Sequence, residues 1–294
     1  MRKLSLLLML ALCLNASIKD YDIKPTYMKS SKFMSIKILD SKELNFKSTR
    51  ELSDIALERN TLYAIGDKGY LYTFKISLKD NKIKKLKLKS ETKLKNSKGK
   101  DLKKSKSDSE GLAFMGNDLL ISFEKKSRIE LYTKGGIKIK SIKIAKALQN
   151  IKNYRAKNRG LEAVTYSDKY GVITAPEVPL NSNNKRVHVI YSKNRTWSFS
   201  ASGSITSLEF INSDEILILQ RESKKNHNYD ITLTKLNLTT CKSEEIAILK
   251  SKKGWKTDNF EGLTKVSKNK FLMISDNQNS KHQKTLLVLF ELLK

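Results

Sequence analysis

The feature that most constrains this chain is a short unit that recurs five times along it. In its clearest copy an acidic turn and a strand, Asp108-Ser-Glu-Gly-Leu-Ala-Phe114, precede a second apolar strand that ends at an acid, Leu119-Leu-Ile-Ser-Phe-Glu124. Across the copies, the place of Glu110 is filled by Ser53, Glu110, Glu162, Thr206 and Glu261. These positions are 57, 52, 44 and 55 residues apart. A period of roughly 40 to 50 residues with four strands per repeat is typical of β-propeller blades.

Short alternating strands fill the sequence between these units. Apolar and polar residues alternate over residues 70–76, 128–132, 137–144, 186–191 and 231–238, a period of two that predicts β-strands. Each unit carries four strand candidates except the last, which is one short. A strand over residues 35–39 can complete it, closing the ring and removing its exposed edges. The sequence therefore predicts an all-β, five-bladed propeller, with a sixth blade left open and a helical pattern only over residues 144–153.

The first 16 residues predict an export signal. Two cations, an apolar stretch too short to cross a bilayer and the small residue Ala16 follow in the order of a secretory signal peptide. A lipoprotein attached through Cys13 is disfavoured because Leu12 is not the small residue expected before it. Removing the leader leaves only Cys241, so no internal disulfide forms. We expect a periplasmic or secreted protein without a transmembrane segment: a signal peptide over 1–16, a linker over 17–34 and one domain over 35–294.

The formal charge is strongly positive. The chain has 58 Lys and Arg against 30 Asp and Glu, which gives +28. Such a field attracts phosphate esters, acidic lipid headgroups or nucleic acid, unless the lysines are only a compositional bias on a solvated surface. Residues 82–106 hold twelve lysines and two acids, and we expect them to be an exposed insertion. Because arginines interleaved with aromatic residues are missing, we expect no nucleic-acid partner. The basic flank leaves contact with an anionic envelope surface open.

A closed ring would bring several acids together. In an antiparallel meander, residues just before the first strand and just after the second lie on one rim. Those places are held or adjoined by Glu110, Glu162, Glu261, Asp67, Glu124, Glu177, Glu222 and Asp276. Crowded carboxylates raise one another's pKa unless positive charge lies among them. Three alternatives stay open: a hard cation such as calcium binds there, backbone amides of a neighbouring blade bind the acids, or basic side chains pair with them, namely Arg50, Arg159, Arg221 and His282.

These segments, taken in order, are similar to a known family. Leu52-Ser-Asp-Ile-Ala56, Ser109-Glu-Gly-Leu-Ala113, Asn158-Arg-Gly-Leu-Glu-Ala163 and Asp258-Asn-Phe-Glu-Gly-Leu263 resemble the bacterial family named for the esterase-like activity of phytase, or phytase-like domain. The resemblance covers residue 52 to the C terminus and implies an exported propeller with ester or phosphoester hydrolase activity. The family's signature positions fall on Glu110, Asn158, Arg159, Glu162, Glu177, Arg221, Glu222, Asn259, Glu261, Asp276 and Asn277. Glu51 stands where the family usually has glycine, and Ser275-Asp-Asn-Gln-Asn279 has one acid fewer than the family's segment.

The resemblance and the acidic rim together predict a metal-assisted hydrolase of small anionic esters or phosphates, acting as a monomer. Calcium would be held by Glu110, Glu162, Glu177, Glu261 and Asp276. Proton transfer would involve Glu162, Glu110 and Glu261, and the substrate would be bound by Arg159, Arg221, Asn158, Asn259 and Asn277. The competing hypothesis is a non-catalytic periplasmic propeller that binds a ligand or a protein. The sequence has no Gly-x-Ser-x-Gly elbow, which argues against an α/β-hydrolase serine enzyme.

Overall fold

A computed structural model describes residues 17–46, 49, 51–156 and 158–293. The predicted leader, with Cys13 and the cleavage position at Ala16, lies outside the described residues, as does Arg50. The described part consists of β-strands and five 3₁₀ helices of one turn each, at Lys104–Lys106, Lys146–Leu148, Ile151–Asn153, Lys225–His227 and Ser251–Lys253. In that part, no helix has the length and apolar character needed to cross a bilayer.

The strands form five antiparallel blades around a central axis. Three strands come first: β1 (Ser17–Asp20), β2 (Lys32–Phe33) and β3 (Ile36–Asn45). Blade 1 contains β4 (Leu52–Glu58), β5 (Thr61–Gly66), β6 (Tyr70–Lys79) and β7 (Lys82–Lys93). Blade 2 contains β8 (Ser109–Met115), β9 (Asp118–Phe123), β10 (Arg128–Tyr132) and β11 (Lys138–Ile142). Blade 3 contains β12 (Leu161–Ser167), β13 (Gly171–Pro176), β14 (Val187–Tyr191) and β15 (Thr196–Ser200).

Blade 4 contains β16 (Ser204–Phe210), β17 (Glu215–Ser223), β18 (Tyr229–Asn237) and β19 (Ser243–Leu249). Blade 5 contains β20 (Asn259–Lys265), β21 (Lys270–Asp276) and β22 (Thr285–Leu292), and its fourth strand is β3. The antiparallel pairing of β3 with β22 runs from Leu44 opposite Thr285 to Ile36 opposite Leu292. The predicted five-bladed propeller, closed by an N-terminal strand, is confirmed, and the described residues contain no sixth blade.

Two segments differ from the organisation expected from sequence. Residues 17–34, expected to be a linker, contribute β1 and β2, which both pair with β3 and cover its outer edge. Residues 82–93, expected to start an exposed insertion, form the outer strand of blade 1. Ile83 and Leu86 of that strand are buried, while the lysines between them face solvent. Because lysine occupies nearly every outward position of β7, the apolar alternation is sparse there and is easily missed.

The hydrophobic core is distributed around the ring. Five clusters of buried side chains each join two neighbouring blades. For example, Ile55 and Leu62 of blade 1 pack against Leu272 and Leu287 of blade 5. Middle strands are therefore buried on both faces, which explains continuous apolar runs such as the one in β9. The clusters hold the blades at fixed positions around the axis, and with them the ends of the innermost strands.

Candidate functional site

Every innermost strand has a β-bulge at the same place in the repeat. The register against the second strand shifts between Leu52 and Asp54 in blade 1, and at the corresponding point in the other four blades. The bulged positions include Ser53, Glu110, Glu162, Thr206 and Glu261, the same positions that define the sequence repeat. A bulge changes the direction of a side chain within a strand. These five side chains thus depart from the regular alternation where each innermost strand begins, at the mouth of the ring.

A second set of five residues lies at the same rim, where the second strand of each blade ends. The set consists of Asp67, Glu124, Glu177, Arg221 and Asp276. In blades 1, 2 and 3 the backbone amide of this residue donates to a carbonyl just before the innermost strand, over 3.0–3.1 Å. In blade 4 the place is taken by a cation, Arg221, opposite Ser204. The ends of the two inner strands are therefore tied together, with their polar residues at one mouth.

Carboxylates of blades 2 and 3 form two groups that share Glu124. Oxygens of Glu124, Glu162 and Glu177 lie within 4.8 Å of one another, and so do oxygens of Asp108, Glu110 and Glu124. Glu124 Oε1 also accepts a hydrogen bond of 3.2 Å from the Gly160 amide of blade 3. Binding of an acid by a backbone amide of a neighbouring blade is one of the three alternatives left open by the sequence. Closely spaced carboxylate oxygens are the donors that calcium prefers. The donor set therefore fits a hard cation.

Burial and mutual repulsion raise the pKa of these carboxyl groups. Burial, together with the charge of Asp108, raises the pKa of Glu124 to about 7. The pKa of Glu162 lies well above its usual value because it is buried and faces Glu177. The pKa of Glu110 is raised in the same way by burial and by Glu162. Protons and a cation would thus compete for the same oxygens.

Arg221 pairs with acids from the two blades beside it. Its Nη1 donates to Glu261 and to Asn259 of blade 5, and its Nη2 lies 3.4 Å from Glu177 Oε1 of blade 3. Burial alone would lower the pKa of Arg221, but the charges of Glu261, Glu162 and Glu177 outweigh burial and raise it. The guanidinium therefore stays charged, and pairing of acids with a basic side chain occurs at this side of the mouth.

The acids of blade 5 are bound by that arginine and by an asparagine. Asn259 Nδ2 donates to Glu261 Oε1 over 2.8 Å and to Asp276 Oδ2 over 3.3 Å. Burial raises the pKa of Glu261 to about 7 against the opposing effect of Arg221. Burial and the charge of Glu261 raise the pKa of Asp276 well above its usual value. The predicted calcium ligands therefore divide within the described chain: Glu110, Glu162 and Glu177 belong to the three-carboxylate groups, whereas Glu261 and Asp276 do not.

The other predicted site residues lie around the rim. Arg159 Nη1 is 3.3 Å from Glu177 Oε1, and 44% of the Arg159 side chain is exposed. Asn158 beside it is exposed, and Asn277 Oδ1 accepts a hydrogen bond from the backbone of the loop that follows β21. Glu222 pairs with Lys224 and joins neither carboxylate group of the described chain. His282, predicted to pair with the acids, stacks instead on His227, with ring centroids 5.6 Å apart.

Sequence reasoning omitted two ligand candidates, Glu124 and Asp108, from the predicted metal set. Glu124 occupies the same place in blade 2 as Glu177 in blade 3, each following the second strand. Strict superposition of the repeats would have added Glu124 to that set. Asp108 joins it because the Glu124 amide donates to the Asp108 carbonyl oxygen over 3.0 Å, which places the two residues side by side.

Asp54, which directly follows the bulged Ser53, was also missed. It is fully buried, and its Oδ1 accepts hydrogen bonds from Ile55, from Leu263 of blade 5 and from the Ser207 hydroxyl of blade 4, over 2.8–3.1 Å. Its Oδ2 accepts from the Leu112 amide of blade 2 over 2.8 Å. Burial raises the pKa of Asp54 well above its usual value, although these bonds oppose the shift. Asp54 thus ties four blades together at the axis below the mouth.

Small residues surround Asp54 at the equivalent positions, which are Gly111, Ala163, Ser207 and Gly262. A Cβ atom on Gly111 would lie 2.5 Å from the Glu162 carbonyl oxygen, and one on Gly262 would lie 2.8 Å from the Asp54 Cα atom. Real Cβ atoms do not approach so closely. The innermost strands therefore meet at the axis, and Asp54 fills the space between them, so that the mouth has a closed floor.

The fold and this arrangement define a class of protein: a five-bladed propeller with buried carboxylates and arginines gathered at one mouth of a basic molecule. The chain belongs to the family described as esterase-like activity of phytase, whose sequence profile matches residues 48–279. The resemblance recognised from the ordered motifs is thereby confirmed. A search of curated proteins gave no match.

Two solved structures are similar to this chain at low sequence identity. The glutaminyl cyclase of Myxococcus xanthus is 10% identical, with a TM-score of 0.49 over 88% of this chain and 97% of that one. A putative oxidoreductase (glucose dehydrogenase) of Thermus thermophilus is 8% identical, with a TM-score of 0.46 over 87% and 100% of the two chains. At these scores the likeness carries no argument about function.

Proposed function

We propose that this protein hydrolyses small anionic esters or phosphoesters at the acidic mouth, with calcium as its cofactor, after export to the periplasm or the cell exterior. One observation carries the proposal: two groups of three carboxylates share Glu124 and lie beside the cationic side chains Arg159 and Arg221. Carboxylates that can hold a cation, next to arginines that can hold an anion, suit a negatively charged ester. Membership of a family described by esterase-like activity supports the same reaction class.

Glu124, Glu162 and Glu177 are the residues that would hold the cation, because their oxygens are close together and largely buried. Calcium bound there would supply positive charge that offsets the charge of the substrate and polarises the ester. Arg159 would bind the anionic group of the substrate, since much of its side chain is accessible while one nitrogen stays on Glu177. Arg221 is mostly buried and would act by holding Glu177 and Glu261 in place.

Glu261 is suited to take a proton from water near neutral pH, because burial raises its pKa to about 7 while Arg221 and Asn259 fix its orientation. Glu110 is suited to the opposite task. Its pKa lies well above the usual value as a result of burial and the neighbouring Glu162, which favours the protonated carboxyl group that can donate to a leaving group. Two acids with different surroundings at one mouth would thus divide the proton transfers.

A non-catalytic binding propeller is the second candidate, and a specific observation favours it. Arg221 and the Gly160 amide already bind several mouth acids, so part of the cluster is satisfied without any cation or substrate. A mouth stabilised in this way could serve as a rigid surface for a ligand. The two candidates differ in whether substrate is turned over.

The test combines calcium calorimetry with a screen for phosphate release and ester cleavage on wild type, Glu162→Gln and a matched control. Glu162→Gln keeps the side-chain shape and removes one charge from the group. Glu244→Gln is the control, since Glu244 lies on the outer strand of blade 4 and pairs with Lys235. We expect calcium binding and turnover in wild type and control, and loss of both in Glu162→Gln. Absence of turnover across a broad set of esters, with or without calcium binding, would favour the binding propeller instead, and turnover unchanged in Glu162→Gln would contradict the proposed site.

A further inference from the structure

A cleft lined by basic side chains lies between blades 1 and 2, beside the acidic mouth. Its volume is about 450 Å³. Six cationic and two acidic side chains line it, and six against two leaves an excess of four positive charges. The cations are Lys100, Lys103, Lys106, Lys126, Arg128 and Lys138. We call this feature the lysine cleft.

One end of the lysine cleft lies near the mouth. One wall is the loop of residues 94–107, which runs from the outer strand of blade 1 to the start of β8, and β8 begins at the mouth. The other wall includes the turn between β9 and β10, which holds Lys126. In that turn, Lys125 Nζ donates to Asp108 Oδ1 of the mouth over 3.0 Å. The cleft and the mouth are thus neighbours with opposite charge.

Arg128 fastens the two walls to each other. Its guanidinium donates to the carbonyl oxygens of Lys106 and Lys125, and it lies 3.8 Å from the centroid of the Phe123 ring. Its Nε is 3.1 Å from a Glu130 oxygen. Glu130 is buried and also accepts from Lys138 and from the Tyr132 hydroxyl. This acid is therefore fully engaged and does not neutralise the lysines at the opening.

The lysine-bearing loop is held by its own hydrogen bonds. Asn96 Oδ1 accepts from the amides of Lys98 and Lys100 over 2.9 and 3.1 Å, and the Lys106 amide donates to the Lys103 carbonyl over 2.8 Å. Within the described residues, the ammonium groups of Lys100, Lys103, Lys106 and Lys126 have no ion pair or hydrogen bond. The backbone thus holds four cations around one concavity without a partner, which lowers the entropic cost of binding an anion.

We propose that the lysine cleft is a binding site for a small anion that carries two or more phosphate groups. Lysine ammonium groups bind phosphate oxygens through charge-assisted hydrogen bonds, and several ammonium groups around one concavity favour a ligand with several charges. The volume lies within the roughly 300–1,000 Å³ of small-molecule sites. A free oligophosphate and a phosphorylated lipid headgroup both present this chemistry. The inference does not depend on hydrolysis at the mouth, because it uses none of the mouth carboxylates.

The test measures binding of tripolyphosphate by calorimetry in chelator-containing buffer, so that no divalent cation at the mouth can bridge to the probe. The cleft variant combines Lys103→Gln, Lys106→Gln and Lys126→Gln. The matched control combines Lys85→Gln, Lys87→Gln and Lys89→Gln, three exposed lysines of β7 that lie outside the cleft and give the same change in net charge. We expect the cleft variant to weaken binding at least about tenfold and the control to change it less than about threefold. Replacing the three cleft lysines with arginine should retain binding.

Equal weakening in the cleft and control variants would assign binding to the general charge of the protein and overturn the proposal, as would absence of binding to wild type. Sedimentation with vesicles of phosphatidylcholine alone and of phosphatidylcholine with cardiolipin, an anionic lipid that carries two phosphates, distinguishes the two ligand sources. Cleft-dependent recruitment to the anionic vesicles, without recruitment to the phosphatidylcholine vesicles, identifies a lipid headgroup as ligand. Cleft-dependent binding of tripolyphosphate without recruitment identifies a free anion. Ester hydrolysis, whether the cleft variant retains it or no variant shows it, tests the proposed function of the mouth. It does not change what the binding measurements say about the lysine cleft.

Discussion

Replacing Asp54 with alanine tests whether the innermost strands are tied together at the axis. The carboxylate accepts hydrogen bonds from the backbone amides of Ile55, Leu112 and Leu263. Removing it leaves three buried donors without a partner, and each such donor costs about 1–3 kcal/mol. Relief of the buried carboxylate, whose pKa is raised by desolvation, offsets part of this cost. We expect Asp54→Ala to lower the free energy of unfolding by at least about 3 kcal/mol.

Urea denaturation and thermal unfolding measure this loss. At the ~2–4 °C per kcal/mol typical of domains of this size, the expected fall in Tm is roughly 6–12 °C. Asp54→Asn keeps Oδ1, which accepts hydrogen bonds from the amides of Ile55 and Leu263, so its loss of stability should be smaller. Asp101→Ala removes an exposed carboxylate and serves as the control. The reasoning is refuted if Asp54→Ala unfolds within about 0.5 kcal/mol of wild type, since a surface substitution has an effect of that size.

Two further predictions concern close packing and pH. Gly111→Ala would place a Cβ 2.5 Å from the Glu162 carbonyl oxygen, and we expect it to lower the free energy of unfolding by about 1–3 kcal/mol, measured by calorimetry. Gly135→Ala is the control, because its nearest contact is at 3.6 Å and its loss of stability should be small. Equal losses of stability in the two variants would contradict the close approach at the axis. Burial raises the pKa of Glu209 from 4.5 to about 7, so the folded state keeps this proton longer than the unfolded state and stability falls as pH rises through that window. By urea denaturation at pH 5 and pH 8, wild type should lose about 2.5 kcal/mol more than Glu209→Gln, and parallel losses would argue against the shift.

The blade count and the closing strand were predictable from sequence because both follow from local patterns. The repeated position, an acid in three of the five copies, lies at the start of an apolar strand in each copy, and the last repeat lacks a strand that residues 35–39 can supply. The outer strand of blade 1 was not predictable in the same way, since six of its twelve residues are lysines and both positions between Ile83 and Leu86 are lysine. Pairing of β1 with β3 was missed because four residues carry too little pattern to mark an edge strand.

The acids at the mouth could be identified from the repeat, but their partners could not. Whether Glu261 faces a cation or Arg221 depends on the side-chain geometry of two blades, and spacing along the chain does not encode it. The partners of Asp54 were even less predictable from sequence. Its partners Leu112, Ser207 and Leu263 lie 58, 153 and 209 residues away, so no local pattern could indicate that it joins them.

The closed floor below the mouth determines how molecules reach and leave it. Asp54, Ala163 and Ser207 have no exposed surface, so the axis is filled at their level. The ring is therefore closed at this level, and the mouth is reached from one face only. A product formed there would leave by the route through which the substrate entered, past Arg159 at the rim. An anionic product would dissociate slowly, because the positive charge that attracts the substrate also attracts the product. Turnover would then be governed by clearance through that one opening.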